Sequence, residues 1–541
     1  MYYRQKTLGR MAAAIPPAAQ NYTIPSCVGG INALAPLISM PPEDCLYTFN
    51  LMPSEYGMTL RKGYREWATG VGTTDTQVRS IVPFEGKDRG NNKLFAITAD
   101  GIYDVTASGE TAPTRVVTFS DVALNAGYVT WTEMTLDNGD QRLFVADARN
   151  GLHMYDETLD TWSVPTITGV AAADIAFVIL HKQRLWVIPA GETDAYYGPV
   201  DAIAGTFTKF TFGSKFKYGG ELLLLANWTL DGGDGVDDYL VGVSRGGDVL
   251  AYRGPDPSSA EWSLTGSFFV GEMPNSRTVA KSYAGELYLL STFGVASMQD
   301  LVQGIDYSNT GQSPSSKINR LLRVQVAERK EFFGWQMTLN PSGGFLQILQ
   351  PWTFANDSTQ YGQNLLTKAW GIWRAVPANC ADTWQAQYYM GGNDGKVYLY
   401  DGFLDGTALN GEEPDIPGVA IPFSTLTSFQ SPGEHGLYKQ VDMLRIVYLS
   451  AGTPIYNMRV LYDYNVIGVA DAAAGVPSGP PGVWDAGIWE TDIWGSVEDG
   501  GSKLEGVTGI GRTIAIATKG LSSTGLTLIG WDISFTPAGF L

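Results

Sequence analysis

Five times along the chain an apolar run of strand character reaches a glycine turn, and a second apolar run follows. The units are LFAITADGIYDV around Gly101, LFVADARNGLHMYD around Gly151, YLVGVSRGGDVLAY around Gly247, LYLLSTFGVASM around Gly294 and YYMGGNDGKVYLYD around Gly395. These glycines lie 50, 96, 47 and 101 residues apart, which is one, two, one and two steps of about 49. Weaker units, LWVIPAGETDAYYG near Gly191 and GGFLQILQPW after Gly343, fill the two double gaps. The second fits a different hairpin of its unit, so the count is six or seven.

Three units share a further pattern. Asp156 precedes Trp162, Asp256 precedes Trp262 and Asn364 precedes Trp370 by six residues each, with Tyr155, Tyr252 and Tyr361 just upstream. This reads as a strand ending in tyrosine, a turn whose Asp or Asn bonds local backbone N–H groups, and an outer strand opened by tryptophan. Four-stranded sheets of this size cannot bury both faces alone; stacking them radially does so and shields their edges. The expected fold is therefore all-β, a six- or seven-bladed β-propeller over residues 61–410. An extended arm rich in Pro, Ala and Gly is expected over 1–60, and a smaller β-sandwich-like domain over 411–541. In that domain Leu444–Ser450, Thr513–Thr518 and Leu526–Phe535 read as strands. A helix is expected over 314–329, with Ser313 as N-cap, Pro314 at its first position and Ile318, Leu321 and Leu322 on one face.

Composition agrees with this class. Charged residues are 17%, aromatics 12%, and there are 64 glycines, which suits a tightly turned β-protein and not a helical bundle. A net charge of −19 argues against grip on a phosphate backbone and is equally compatible with plain solubility. Cys27, Cys45 and Cys380 are odd in number and widely spaced, so neither a disulfide framework nor a zinc site is indicated, and synthesis in a reducing compartment is expected. No apolar run suits a secretion signal or a membrane span.

Motifs that could carry chemistry read as structure. Gly242-Val-Ser244-Arg-Gly246 matches a nucleophile elbow, but a strand follows where that motif needs a helix, so it reads as a hairpin turn. Asp231, Asp234, Asp237 and Asp238 do not follow the EF-hand pattern and read as a solvated loop. His153, His181 and His435 are far apart and show no triad pattern. Trp484, Trp489 and Trp494 recur every five residues; packing or a subunit interface is favoured over a sugar platform. The sequons at Asn21, Asn227 and Asn356 carry no meaning without a secretion signal. No catalytic, cofactor-binding or metal-ligating residue is assigned, no cofactor is expected, and the chain is not expected to be an enzyme.

Several stretches together resemble a known family. GGINALAPLISMPPEDCLYTF at 29–49 and MTLRKGY at 58–64 are similar to the opening of tail proteins in many short-tailed bacteriophages. VLAYRGPDPSSAEWSLTGSFFVG at 249–271 and GELYLLSTFGVASM at 285–298 are similar to the middle of that family. NLLTKAWGIWRAVPANC at 364–380, GGNDGKVYLYDG at 391–402, the WD/WE run and the closing strand near Trp531 are similar to its later part. The resemblance implies a tail tube (nozzle) subunit in the virion, made in the host bacterial cytoplasm and assembled as a homo-oligomer, a hexameric ring. It further implies contact with the head-to-tail adaptor and portal, attachment of fibres, spikes or a needle, and transient passage of phage DNA without specific binding. An acidic wall would let DNA slide past without sticking. The runner-up expectation is a propeller glycosidase or a carbohydrate- or receptor-binding tail protein.

Overall fold

The computed structural model describes residues 18–231, 236–307, 313–352, 359–409, 415–471 and 499–539. Among them the secondary structure is nearly all strand, with two α-helices, Met298–Val302 and Asn319–Arg329. Neither is long and apolar enough to cross a membrane.

Seven antiparallel meanders follow one another. The first four hold four strands each and begin at Ser80–Phe84, Val129–Thr135, Ile175–His181 and Leu222–Asp231. The fifth has three strands, from Ala280–Tyr283 to Gly294–Ser297. The sixth runs from Gln336–Asn340 to Trp370–Trp373. The seventh takes Cys380–Trp384, Gln387–Gly391 and Lys396–Leu399 in order, and its fourth strand, Tyr64–Thr69, from near the start of the chain. The first strands touch in cyclic order: 80–84, 129–135, 175–181, 222–231, 280–283, 336–340, 380–384, and back to 80–84.

Burial explains the stacking. The second strands Lys93–Thr98, Gln141–Asp147 and Arg184–Pro189 are buried at every position after the first. A strand covered on both faces wants an unbroken apolar run, and the LFAIT, LFVA and LWVI segments supply one. The glycines at 151, 247, 294 and 395 sit between second and third strands with positive φ, as does Gly191 in the third meander. In the sixth, the glycine turn lies one hairpin earlier, between Asn340 and Phe345.

Beyond the meanders two sheets face each other. One is built on Lys439–Ser450 and Leu526–Pro537, whose burial alternates residue by residue along much of their length. That pattern belongs to strands with one face on a core and one in water. The other holds Asp44–Phe49, Val419–Thr427, Ile514–Ser522 and Ile455–Tyr462. Trp531 of the first sheet is fully buried and donates its indole N–H to Thr518 Oγ1 of the second, 3.0 Å away. Hydrogen bonding runs on into the meanders, because Phe49 pairs with Ile372 and Leu404–Thr407 pairs with both Tyr64 and Val419.

The span expected as an extended arm is instead part of this sandwich from residue 20 onward; residues 1–17 lie outside the described residues. Gln20–Pro25 pairs with the last strand over its whole length, Gln20 opposite Phe535 and Pro25 opposite Gly530. Leu51–Pro53 and Met58–Leu60 extend the same sheet. Ile24, Ile31, Cys45 and Leu51 are fully buried. The sandwich therefore does not begin at 411 but is shared by both ends of the chain. The expected helix also starts later, at Asn319, with residues 314–318 in turns. Ser313 does not cap it; its Oγ accepts from Asn319 Nδ2 at 2.8 Å, and Leu321 is exposed while Ile318 and Leu322 are buried.

Candidate functional site

The first strands of the meanders surround a cavity of about 810 Å³. Its wall mixes apolar residues such as Ile81, Val129, Phe177 and Leu225 with polar ones such as Ser80, Thr130 and Asn227. Arg79, Arg149, Arg245 and Arg277 line it together with Glu221. Each guanidinium is engaged. Arg277 donates to Leu223 O at 2.6 Å and Glu221 Oε2 at 3.3 Å; Arg245 meets Glu331 at 2.5 Å. Arg149 meets Asp121 at 2.7 Å, and Arg79 pairs with Asp75 while donating to Ala126 O at 2.7 Å. These pairs brace the wall and make it polar.

Asp382, Lys281 and Trp131 also line the cavity. Burial pushes the Asp382 carboxyl above its ordinary range, with the Lys281 charge, the Thr383 N–H and the Trp131 indole pulling the other way. A carboxyl so placed can bond a hydroxyl or amine entering the cavity. Glu221 and Glu286 are the other carboxylates of the lining.

A second set of carboxylates is structural. Asp100, Asp147, Asp194 and Asp248 are all buried beside the turns between second and third strands. Asp147 Oδ2 accepts from Gly127 N at 2.7 Å, Asp194 Oδ1 from Phe212 N and Gly213 N at 3.0 Å, and Asp248 Oδ2 from Tyr218 N at 2.8 Å. Asp100 Oδ2 accepts from Thr73 N at 2.9 Å. Burial would raise the Asp100 carboxyl, but its Thr73, Thr98 and Thr74 donors outweigh this and hold it well below the usual carboxylate range. Each aspartate thus ties a connecting segment to its sheet. The signal was present in the sequence as an aspartate within four residues of Gly101, Gly151, Gly191 and Gly247.

The residues singled out by motif behave as follows. Ser244 is fully buried in the hairpin turn, its Oγ accepting from Asp248 N at 3.0 Å, so the elbow-like match is a turn. Asp238 Oδ1 accepts from Thr229 Oγ1 at 2.8 Å within a strand pair; Asp234 and the side chains of Asp231 and Asp237 lie outside the described residues. His181 shares a 2.8 Å hydrogen bond between Nδ1 and Asn227 Oδ1, His153 packs on Phe119, and burial lowers the pKa of both. His435 is on an exposed loop. Asp156, Asp256 and Asn364 accept from backbone N–H groups two residues on, at 2.9, 2.8 and 2.8 Å, as the turn pattern requires. Cys27, Cys45 and Cys380 are buried thiols. Trp484, Trp489, Trp494 and Asn356 lie outside the described residues, and no group of three potential metal ligands occurs among the described ones.

No family model matches the chain, and no curated protein does. Among solved structures it is similar to the computationally designed Ika8 protein, at 9% identity and a TM-score of 0.34 over 62% of this chain and 99% of that one. It is also similar to the extracellular domain of a hybrid two-component system of B. thetaiotaomicron, at 11% identity and a TM-score of 0.40 over 76% of this chain and 55% of that one.

Proposed function

We propose that this chain is a seven-bladed β-propeller and a structural subunit of the short tail tube of a bacteriophage. The propeller reading draws on the cyclic contact of seven first strands around a shared cavity, with Tyr64–Thr69 closing the last blade. The tube reading rests on the family-like stretches 29–49 and 58–64, and one observation is in keeping with it. Those stretches are the joint between the two halves of the molecule. Asp44, buried, accepts from Asn32 Nδ2 at 2.6 Å and pairs with Lys317 at 2.7 Å, while Arg61 Nη1 donates to Asp405 Oδ1 at 2.7 Å. A subunit that bears load as a genome passes needs halves that cannot shear apart. Closing strands drawn from the opposite end of the chain provide this, because separating the halves requires breaking whole ladders at once.

In this reading copies form a closed ring, six-fold by the resemblance, joined to the adaptor and portal and bearing fibres, spikes or a needle. Imaging of purified virions by cryo-electron microscopy tests it: a ring of this chain around the tail channel is expected. Absence from the particle, or presence only as a monomer or a fibre trimer, overturns it.

One observation favours the second reading, a carbohydrate-binding or glycosidic propeller: Asp382 and Trp131 together in the central cavity. Depolymerisation of host polysaccharide by the purified protein, lost in Asp382→Asn, would promote that reading.

A further inference from the structure

Two charged residues of the central cavity are left over once the others have paired. Five cations line it, Arg79, Arg149, Arg245, Arg277 and Lys281, against three carboxylates, Glu221, Glu286 and Asp382, in a chain whose total is −19. The four arginines meet Asp75, Asp121, Glu331 and Glu221. Glu286 is taken up locally: Oε2 accepts from Ser297 Oγ at 2.7 Å, and Oε1 from Leu287 N at 2.9 Å and Gln299 N at 3.1 Å. Lys281 has no ion-pair or hydrogen-bond partner among the described residues. Its charge acts on Asp382, whose carboxyl accepts from Thr383 N at 2.8 Å and from the Trp131 indole. Lys281, Asp382 and Trp131 come from the first strands of the fifth, seventh and second meanders, so only the closed cycle of strands brings them together.

Two further polar atoms of this lining are buried and unanswered. Asn379 is 5% exposed, and its Oδ1 accepts from nothing among the described residues. Arg79 Nε, equally buried, donates to nothing among them. A buried polar atom without a partner carries a desolvation cost that an entering molecule can offset. The cavity, at about 810 Å³, lies within the range of pockets that hold small ligands, and it combines an apolar wall with a few convergent polar groups as such pockets do. One mouth is narrowed. Phe333, on the segment entering the sixth meander, stacks on Tyr128, entering the second, with ring centres 6.1 Å apart, and both line the cavity. Such a mouth suits a single unit or a chain end and not a polymer threaded through.

We propose that the central cavity binds a small hydroxylated carboxylate, a sugar acid of the uronate type, with its carboxylate on Lys281 and its hydroxyls donating to Asp382 and Asn379. A neutral sugar lacks the charge that Lys281 is free to hold, and a simple anion lacks the spread of hydroxyls that the two acceptors require. The class of ligand rests on the carbohydrate reading of this cavity and is independent of the tail-tube reading.

The test is isothermal titration calorimetry of the full chain at neutral pH with glucuronate, glucose and inorganic phosphate. Glucuronate should bind, with glucose and phosphate each weaker by about tenfold or more, the loss expected when a charge-assisted hydrogen bond or a set of hydroxyl contacts is missing. Lys281→Met should weaken glucuronate by about tenfold or more and leave glucose unchanged, while Lys281→Arg keeps most of the affinity. Lys503→Met, at a side chain 67% exposed on the sandwich, should change nothing. Equal affinity for glucuronate and glucose overturns the proposal and leaves the carbohydrate reading standing. Binding of neither sugar overturns both. Phosphate bound as tightly as glucuronate also overturns it, since the cavity would then read charge alone. The comparison of the three ligands on the unaltered protein decides each of these outcomes, so a poorly folding variant leaves none of them open.

Discussion

Arg61 holds both oxygens of Asp405, Nη1 to Oδ1 at 2.7 Å and Nη2 to Oδ2 at 2.6 Å, across 344 residues of sequence and almost out of reach of solvent. The remaining guanidinium donors go to Asn50 Oδ1, Lys62 O and Arg374 O. Leu404–Thr407, which carries Asp405, pairs with Val419–Thr427 on one side and Tyr64–Thr69 on the other. This planar fork thus joins the closing strand of the last meander to the sandwich at a point where no lysine could reach all five acceptor atoms.

Removing the carboxylate should leave a buried, uncompensated guanidinium. Asp405→Ala is expected to destabilise the protein by about 3–5 kcal/mol. Urea unfolding of the variant measures it. The double replacement Arg61→Met with Asp405→Leu should recover most of the loss, since both charges then disappear together.

Ile24 distinguishes a sandwich strand from a loose arm. Its side chain is fully buried and its strand lies against the last strand of the chain. Ile24→Ala should cost about 2–5 kcal/mol in the same unfolding measurement, the range for truncating a packed core aliphatic. An effect within about 0.5 kcal/mol would be that of a surface residue.

Two turn glycines should respond differently to a methyl group. At Gly344, with φ +69°, an added Cβ meets nothing within 4 Å, so alanine should cost about 1–2 kcal/mol from the left-handed conformation alone. At Gly247, with φ +96°, a Cβ would stand 2.2 Å from the Gly271 carbonyl oxygen. Gly247→Ala must therefore shift backbone as well, and its melting temperature should fall well below that of Gly344→Ala.

Glu133 should make stability depend on pH. Burial pushes its carboxyl from the usual 4.5 up to about 7, helped by the Glu85 charge and opposed by the Glu85 N–H. Between about pH 4.5 and 7 the folded protein keeps a proton that the unfolded chain has lost, so stability falls as pH rises through that window. Glu133→Gln should flatten this slope and gain on the order of 2 kcal/mol above pH 7. The difference between the two proteins' urea midpoints against pH reads it directly.

The sequence by itself determined the local devices. Turn glycines at a step of about 49 placed the hairpins, the Tyr–Asp–Trp spacing placed the capped turns, and unbroken versus alternating apolar runs separated strands buried on both faces from those buried on one. These are short-range effects, set by φ preferences, side-chain-to-backbone bonds and periodicity within some ten residues. What the tertiary structure alone decided is every partner at long range. Gln20–Pro25 is rich in polar residues and looks like an arm until Leu526–Pro537 pairs with it, about 500 residues later. Tyr64–Thr69 completes a meander that begins at Cys380, and Asp382 belongs to the central cavity only because six other first strands close around it. No local pattern encodes those meetings, because the free energy that selects them comes from surface buried jointly by segments that are strangers in sequence.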